Sequence, residues 1–407
     1  MDLTASEALA LDERTARAAW SGIAEPADYR VGELLEQLGP TRALAWAASS
    51  YADPQIGEHD SWGVVHERVH LRLSHLVLDK ELSRIEKLGG RIIIPSDQQW
   101  PSRLEHLGAG APHALWVLGR LPTETQDAVA MVGARASTAY GNVIATDFAF
   151  DLAAGGFAVI SGGAYGIDAA AHRGAMRGSR KSDDSADRLC PTVAVLCGGL
   201  SNLYPAGNHS MFKQILSCGG ALVSEMPPSF RPARWRFIER NRIIAALAAA
   251  TVVVEASSRS GALATANRAV ELGKEVGAIP GPITSAASVG TNRLIADGAN
   301  LVASVGDVVA MTGSGFGVSD SQSGSEHPLF TDRKRAVKQA PATLARADPI
   351  ERRTWDALFR SGEAEPEVVA GEAGLSVQEV HTALLGLQAL GLVARSEAGG
   401  WSRVFPA

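Results

Sequence analysis

Cysteine is scarce in this sequence: three in 407 residues, Cys190, Cys197 and Cys218, with no Cys-x-x-Cys pair. An odd count without that spacing excludes a disulfide framework and a thiolate zinc site, and reads as reduced, buried thiols in a cytoplasmic protein. No apolar run reaches the ~18 residues of a membrane span. Met1-Asp2-Leu3-Thr4 lacks the basic and apolar segments of a signal peptide. Lysine is also short, at 7 of the 38 basic residues, and basic charge as a whole is in deficit, with a formal net charge of −6. A basic coat is therefore excluded, and any nucleic-acid site has to be a local patch. No Gly-x-Ser-x-Gly nucleophile is present, and no cofactor or resident metal is expected.

At this length two or three domains are expected. Residues 1–88 carry helical periodicity broken by Pro26, Pro40 and Pro54. They predict a small helical domain of SAM or helix-hairpin-helix type, with helices over Val31–Leu38 and Val64–Leu88. Residues 89–311 begin with short strands at Arg91–Ile94 and Ala114–Gly119. From Ala128 onward, apolar strand-like runs alternate with helical stretches such as Tyr140–Ala154, Ile167–Arg177 and Phe237–Ala248. That alternation predicts an α/β fold, a Rossmann-like doubly wound, mostly parallel sheet. Gly178 to Pro191 is a polar insertion within it. Residues 312–349 are rich in Gly, Ser and Pro with a basic run, and predict a linker. Residues 350–407 predict a winged helix: three helices, then a hairpin around Gly399-Gly400. Ile350 to Ala407 holds five Arg, no Lys and eight Asp plus Glu, so 5 − 8 = −3. A duplex reader is normally basic, so protein docking is at least as good a reading of this tail.

The organising stretch is Ser161-Gly162-Gly163-Ala164-Tyr165-Gly166-Ile167-Asp168, between the apolar run Phe157–Ile160 and an alanine-rich run. It reads as a strand, a glycine loop and a helix start, which serves either as a tight turn or as a phosphate cradle. No Gly-Lys-Ser/Thr follows, and the adjacent Gly162 and Gly163 do not fit Gly-x-Gly-x-x-Gly. Asp168 and His172, spaced i, i+4, could act as an acid–base pair, but Asp168 is more simply an acid stabilising the helix dipole. Gly or Ser also ends the other strands, at Gly133-Ala134-Arg135, Gly198-Gly199, Ser224-Glu225, Ser257–Gly261 and Pro280-Gly281. In a doubly wound sheet, ligands bind at that edge.

Phe230 to Arg242 holds five arginines, three aromatics and one acid. Aromatics stack on bases and guanidinium groups grip phosphates, so this composition points to single-stranded nucleic acid. His66-Glu67-Arg68-Val69-His70 fits the His-Glu-x-x-His pattern literally. It lies in the helical region without a clear third ligand, and reads as solvated helix-face histidines.

These residues together resemble the DNA-processing protein A (DprA/Smf) family, over about Gly90 to Val309. The matching motifs are Val132-Gly133-Ala134-Arg135, Ser161–His172, Tyr204-Pro205, Phe237-x-x-Arg240-Asn241-Arg242, Val254-Glu255-Ala256, Ser260–Ala266, Pro280-Gly281 and Gly290–Ala299. The resemblance implies a non-enzymatic, homodimeric core that binds single-stranded DNA. It further implies that the core protects incoming DNA and loads RecA recombinase during natural transformation, with single-strand-binding protein a further partner. It places DNA contacts on Arg135, on the glycine loop with Ser161, Gly162, Gly163 and Gly166, and on Arg234 and Phe237; Gly133, Ala134, Arg240, Asn241, Arg242, Ser260 and Gly261, within the matching motifs, are further candidate contacts. The sequence departs from the family in the Gly178–Pro191 insertion, in Trp100-Pro101 where members often have Tyr-Pro, and in its N-terminal part. The competing class is a hydrolase similar to the lysine-decarboxylase-like phosphoribohydrolases. Their Pro-Gly-Gly-x-Gly-Thr-x-x-Glu is not met by Pro280-Gly281-Pro282-Ile283-Thr284, and the mediator reading is favoured.

Overall fold

The structure, a computed structural model, describes residues 4–50, 62–123, 127–179, 190–313, 347–358, 363–373, 375–396 and 399–404. Most of the polar insertion and of the linker lies outside the described residues. The chain divides into two compact units, Met1–Gln322 and Ser323–Ala407.

Among the described residues the first unit opens with the helices α1 (Ala5–Ala10), α2 (Glu13–Ile23), α3 (Tyr29–Leu38), α4 (Pro40–Ala48), α5 (Trp62–His75) and α6 (Leu78–Lys87). The long helix expected over Val64–Leu88 is two helices, parted at Leu76-Val77. The reason lies in packing. Val65, Val69 and Leu73 of α5 fill the helical core with Trp20, Leu34, Leu44 and Trp46. Leu82 and Ile85 of α6 instead join a cluster with Trp116, Leu196 and Leu222 of the sheet. One straight apolar stripe could not serve two cores facing different ways.

Among the described residues nine strands follow: β1 (Arg91–Ile93), β2 (Leu115–Gly119), β3 (Ala128–Val132), β4 (Ala158–Ser161), β5 (Thr192–Leu196), β6 (Ala221–Ser224), β7 (Ala250–Val253), β8 (Glu275–Ala278) and β9 (Asn300–Leu301). Helices α7 (Ala139–Ala154), α8 (Ile167–Ser179), α9 (His209–Ser217), α10 (Arg234–Leu247), α11 (Gly261–Glu271), α12 (Val289–Ala296) and α13 (Val305–Met311) connect or follow them. The sheet order is β1-β2-β6-β5-β4-β3-β7-β8-β9. From β6 to β9 all neighbours are parallel, whereas β1 pairs with β2, and β2 with β6, in antiparallel fashion. The chain steps outward through β4, β5 and β6, and α10 then carries it back to β7 on the other side of β3. That reversal is the switch point at which open α/β sheets bind ligands.

Both faces of the sheet are covered because strand side chains alternate. Ala128, Ala130 and Val132 share a core with Ile243–Leu247 of α10 and Ala262, Ala266 and Ala269 of α11. Val129 and Met131 of the same strand meet Ala145, Ala149 and Leu152 of α7 and Ala170, Ala171 and Ala175 of α8. Residues 1–88 and 89–311 are bridged closely. The indole N–H of Trp116 donates to Ser21 Oγ at 3.0 Å, Arg14 pairs with Asp97 at 2.6 Å, and Arg236 pairs with Glu25 at 2.9 Å.

The second unit contains α14 (Pro349–Ala357), α15 (Pro366–Ala373) and α16 (Val377–Ala389), then an antiparallel pair of β10 (Val393–Arg395) and β11 (Trp401–Arg403). Val369, Val380, Leu384, Leu387 and Trp401 share its core. The first helix stops with its cap at Leu358, and Arg360 lies outside the described residues. On α16 the exposed Gln378, Glu379, His381 and Thr382 form an outward face without a cation.

Candidate nucleic-acid interface

Two amides of the glycine loop after β4, those of Gly162 and Ala164, are already engaged within the chain. Asp168, from the first turn of α8, turns back so that its Oδ2 accepts from the Gly162 and Ala164 amides at 3.2 and 3.3 Å. Arg240 donates to the carbonyls of Gly162, at 2.8 Å, and Val195. Asn208 donates to those of Gly163 and Ala164 at 2.9 and 3.1 Å. The anion that this loop holds at Gly162 and Ala164 is thus the chain's own carboxylate. Burial pushes the Asp168 carboxyl up, while the Arg240 charge and the loop amides pull it down. Glycine is required here for two different reasons. At Gly162 a Cβ would lie 2.5 Å from the Arg240 guanidinium, and at Gly166 (φ 75°) it would meet the Ala134 carbonyl oxygen at 2.2 Å.

His172, one turn on, is fully buried. Thr192 Oγ1 donates to the Val159 carbonyl and so accepts from His172 Nδ1–H at 2.7 Å. Burial, helped by the charges of Arg173 and Arg240, holds the imidazole down at about 3. Asp168 faces the loop and His172 faces Thr192, so the two do not form an acid–base pair.

The arginine–aromatic segment sorts itself by helix geometry. α10 begins at Arg234, three residues earlier than the expected Phe237. Arg240, Asn241 and Arg242 are buried at 5 %, 8 % and 2 % exposure. Arg242 makes a two-pronged ion pair with the equally buried Glu225, at 2.9 and 2.6 Å, and also donates to Gly110 O at 2.9 Å. Asn241 reaches the Gly261 carbonyl at 3.4 Å. Burial pushes the Arg240 guanidinium down, partly offset by Asp168. The structure turns these three expected DNA contacts inward: Arg242 is held by Glu225 and Gly110 O, and Arg240 by the loop carbonyls, with its buried Nε left without a hydrogen-bond partner. Ser161, expected as a further contact, is likewise fully buried and donates to Met131 O at 2.6 Å.

What remains exposed converges on one cleft. Arg135, on the loop after β3, is exposed, and its guanidinium carbon sits 4.9 Å from the centroid of the half-buried Phe237 ring. Tyr204 meets Phe237 edge to face at 5.7 Å. Gly162, Ala164, Tyr165, Cys197 and Pro205 complete the lining. Tyr165 and Tyr204 are each 49 % exposed. The position of Arg135 follows from its neighbours. Ala134 N donates to Glu255 O at 2.8 Å and Ile167 N donates to Ala134 O at 3.2 Å, so this loop is clamped between β7 and α8. Gly133 and Ala134 belong to that clamp, while Gly163 and Gly166 shape the opposite wall. Arg234 is exposed at the head of α10. Ser260 caps α11 by accepting from Ala262 N at 3.3 Å, and the exposed Gly261 follows it. Neither Ser260 nor Gly261 lines the cleft. Tyr165 and Tyr204 are not among the residues expected from the sequence, although both stand inside the matching motifs Ser161–His172 and Tyr204-Pro205. Two exposed tyrosines flanking a phenylalanine and an arginine suit stacking on bases with an adjacent phosphate contact.

Of the His-Glu-x-x-His pair, His70 lies on an exposed helix face as expected, whereas His66 does not. His66 is buried and its Nε2–H donates to the carbonyls of Trp46 and Ser49 at 3.2 and 3.1 Å. His70 donates through Nδ1–H to Ala47 O at 2.8 Å. Both histidines secure the end of α4. Among the described residues no group of three or more His, Cys, Asp or Glu is arranged to hold a metal ion, and no helix is long and apolar enough to cross a membrane. The three cysteines are buried and unpaired with one another.

Residues 91–313 match the family model described as DNA recombination-mediator protein A. The chain is 38 % identical over 402 residues to a putative DNA processing protein DprA of Mycobacterium tuberculosis, covering 95 % of this chain and 94 % of that one. It is 34 % identical over 314 residues to protein Smf of Escherichia coli, covering 77 % of each. Among solved structures, it resembles DNA processing protein A of Streptococcus pneumoniae with a TM-score of 0.57 and 29 % identity, over 76 % of this chain and 98 % of that one. By the extent of these matches and by the motifs that build the cleft, the chain belongs to the DNA recombination-mediator protein A family.

Proposed function

We propose that this protein binds single-stranded DNA through the Arg135–Phe237–Tyr204 cleft and presents the strand to a recombinase. The observation that carries this reading is the open pair of Arg135 and Phe237, 4.9 Å apart at the carboxyl edge of the sheet. Stacking needs an unpaired base, so a duplex should be a poor ligand. Arg135 and Arg234 supply the phosphate contacts, and Gly133, Ala134, Gly163 and Gly166 give the backbone its close approach. The family's description as a recombination mediator supports taking RecA as the recipient and competition with single-strand-binding protein as the setting. Under this reading the protein is a cytoplasmic, non-enzymatic homodimer active in DNA uptake and recombination, and residues 350–407 are a winged helix that docks protein. The acidic balance of that tail and the cation-free face of α16 support the last point.

The test compares single-stranded and duplex oligonucleotides of equal length without ATP or metal. Preferential single-strand binding that weakens steeply with salt is expected; equal affinity for both forms would end this reading. In a filament-assembly time course, addition of the protein should shorten the lag of RecA on strands coated with single-strand-binding protein. An unchanged lag at saturating DNA binding would leave a DNA-binding module with another partner.

A further inference from the structure

The first turn of α10 carries an aromatic ring that the cleft does not use. Trp235 is 55 % exposed, although a tryptophan open to water forgoes the burial its ring favours. The ring is nevertheless fixed. Its Nε1–H donates to Glu25 Oε2 at 3.1 Å, and the same carboxylate receives Arg236 through Nε and Nη2 at 3.0 and 2.9 Å. Arg72 is its third partner. Burial acts to raise the Glu25 carboxyl, but hydrogen bonds from Arg236, Trp235 and Arg72 bring it down to about 2. The anchor therefore stays charged under ordinary conditions.

Helix geometry relates this ring to the cleft. Successive residues turn by about 100°. Taking Arg234 as the origin, Trp235 falls near ~100°, Arg236 near ~200° and Phe237 near ~300°. Arg236, at 7 % exposure, marks the inward side. Arg234 then lies on the outer arc between the two aromatics, beside Ile238, which is 52 % exposed. Arginine and aromatic side chains thus alternate around the exposed half of the turn, in the order Arg135, Phe237, Arg234, Trp235.

We propose that Trp235 is a second base-stacking platform for the single strand, with Arg234 holding the phosphate between the base on Phe237 and the base on Trp235. This rests on the single-strand reading of the cleft. The strand then crosses the head of α10 from the cleft toward Glu25, the residue that locks the indole in place. Affinity becomes a matter of two stacked bases joined by one gripped phosphate.

The experiment measures anisotropy of a labelled oligothymidylate with the full chain, as wild type, Trp235→Ala and Trp235→Phe. Trp235→Ala should weaken binding about tenfold or more. Trp235→Phe, which keeps a ring but loses the N–H donor to Glu25, should stay within about threefold of wild type. On an abasic strand of the same length all three proteins should bind alike, since nothing is left to stack. Trp235→Phe as weak as Trp235→Ala would reduce the indole to a strut acting through Glu25, and overturn the platform. Wild-type affinity in Trp235→Ala, beside a defective Arg135→Ala, would overturn it too while leaving the cleft intact. No single-strand binding by the wild type would remove both readings. If Trp235→Ala does not fold, quenching of tryptophan fluorescence on DNA addition gives the same information. The quench should disappear in Trp235→Phe, and a persistent quench would refute the contact.

Discussion

The two walls of the cleft are built on opposite principles. The glycine-loop wall has most of its central polar groups engaged from within: Asp168 takes two amides, and Arg240 and Asn208 take the carbonyls. The opposite wall, Arg135 with Phe237 and the head of α10, leaves Arg135, Arg234 and Trp235 open to solvent. Binding capacity lies where donors and ring faces lack internal partners, because a saturated group gains nothing by exchanging one partner for another. Glycine marks the place where backbone approaches backbone; the exposed arginines mark the place where a ligand can be held. The same division runs along α10 itself. At its head Arg234, Trp235 and Ile238 are exposed, whereas Arg236, Arg240 and Arg242 are buried.

The sharpest way to break this comparison is to exchange the roles of the two sets of arginines. Arg242→Ala strands the buried Glu225 carboxylate and should cost about 3–5 kcal/mol of stability, read by urea unfolding. A variant that stays fully stable but loses DNA would show that Arg242 belongs to the outer set. Arg135→Ala should do the reverse. A charge-assisted contact contributes about 1.5–3 kcal/mol, so binding should fall some ten- to hundredfold. Stability should change by less than about 0.5 kcal/mol, as for other surface positions. Phe237→Ala should weaken binding by a comparable stacking increment, about 1–3 kcal/mol. If it instead lowers the melting temperature steeply while the folded fraction binds normally, the ring belongs to the core.

A smaller effect comes from the inner wall's titration. His172 is buried neutral at about 3, against 6.5 when unfolded. The unfolded chain therefore binds the extra proton first as pH falls. Stability should be complete above about pH 6.5 and decline toward pH 3 by at most about 1.4 kcal/mol per pH unit. His172→Gln should flatten that slope in urea unfolding at successive pH values; an unchanged slope would mean that His172 is charged in the fold. The smallest effect is the most informative about architecture. Deletion from Ile350 onward should leave single-strand affinity within about threefold, because every group invoked lies in the first unit. A large loss would move part of the interface into the tail.

Hydrophobic patterning made most of the sheet legible. Thr192–Leu196 and Ala128–Val132 are fully apolar or β-branched runs, which a strand buried on both faces must be, and both match the observed strands. The break between α5 and α6 was not legible. Residues 64–88 present one unbroken helical period, and only the positions of two separate cores explain why the chain turns at Leu76-Val77. At the site, Arg135 was singled out by the family resemblance, in the motif Val132-Gly133-Ala134-Arg135 at a strand end. Arg240 and Arg242 read as equally good phosphate ligands, because a run of arginines carries no mark of which side faces the core. The same holds for His66, whose partners are carbonyls 17 and 20 residues away.

By itself, then, the sequence determined the α/β alternation, the glycine loop, and the enrichment of arginine and aromatic residues ahead of β7. These follow from local composition and period, which act over a few residues and leave a direct trace in the letters. Tertiary structure alone decided which of those arginines face water and which carboxylate fills the loop. It also decided that Glu25, more than 200 residues earlier, fixes Trp235. Partners for charged and polar groups are chosen by burial. A guanidinium taken out of water must find a carboxylate or carbonyls wherever the fold brings them, and sequence distance places no limit on that choice.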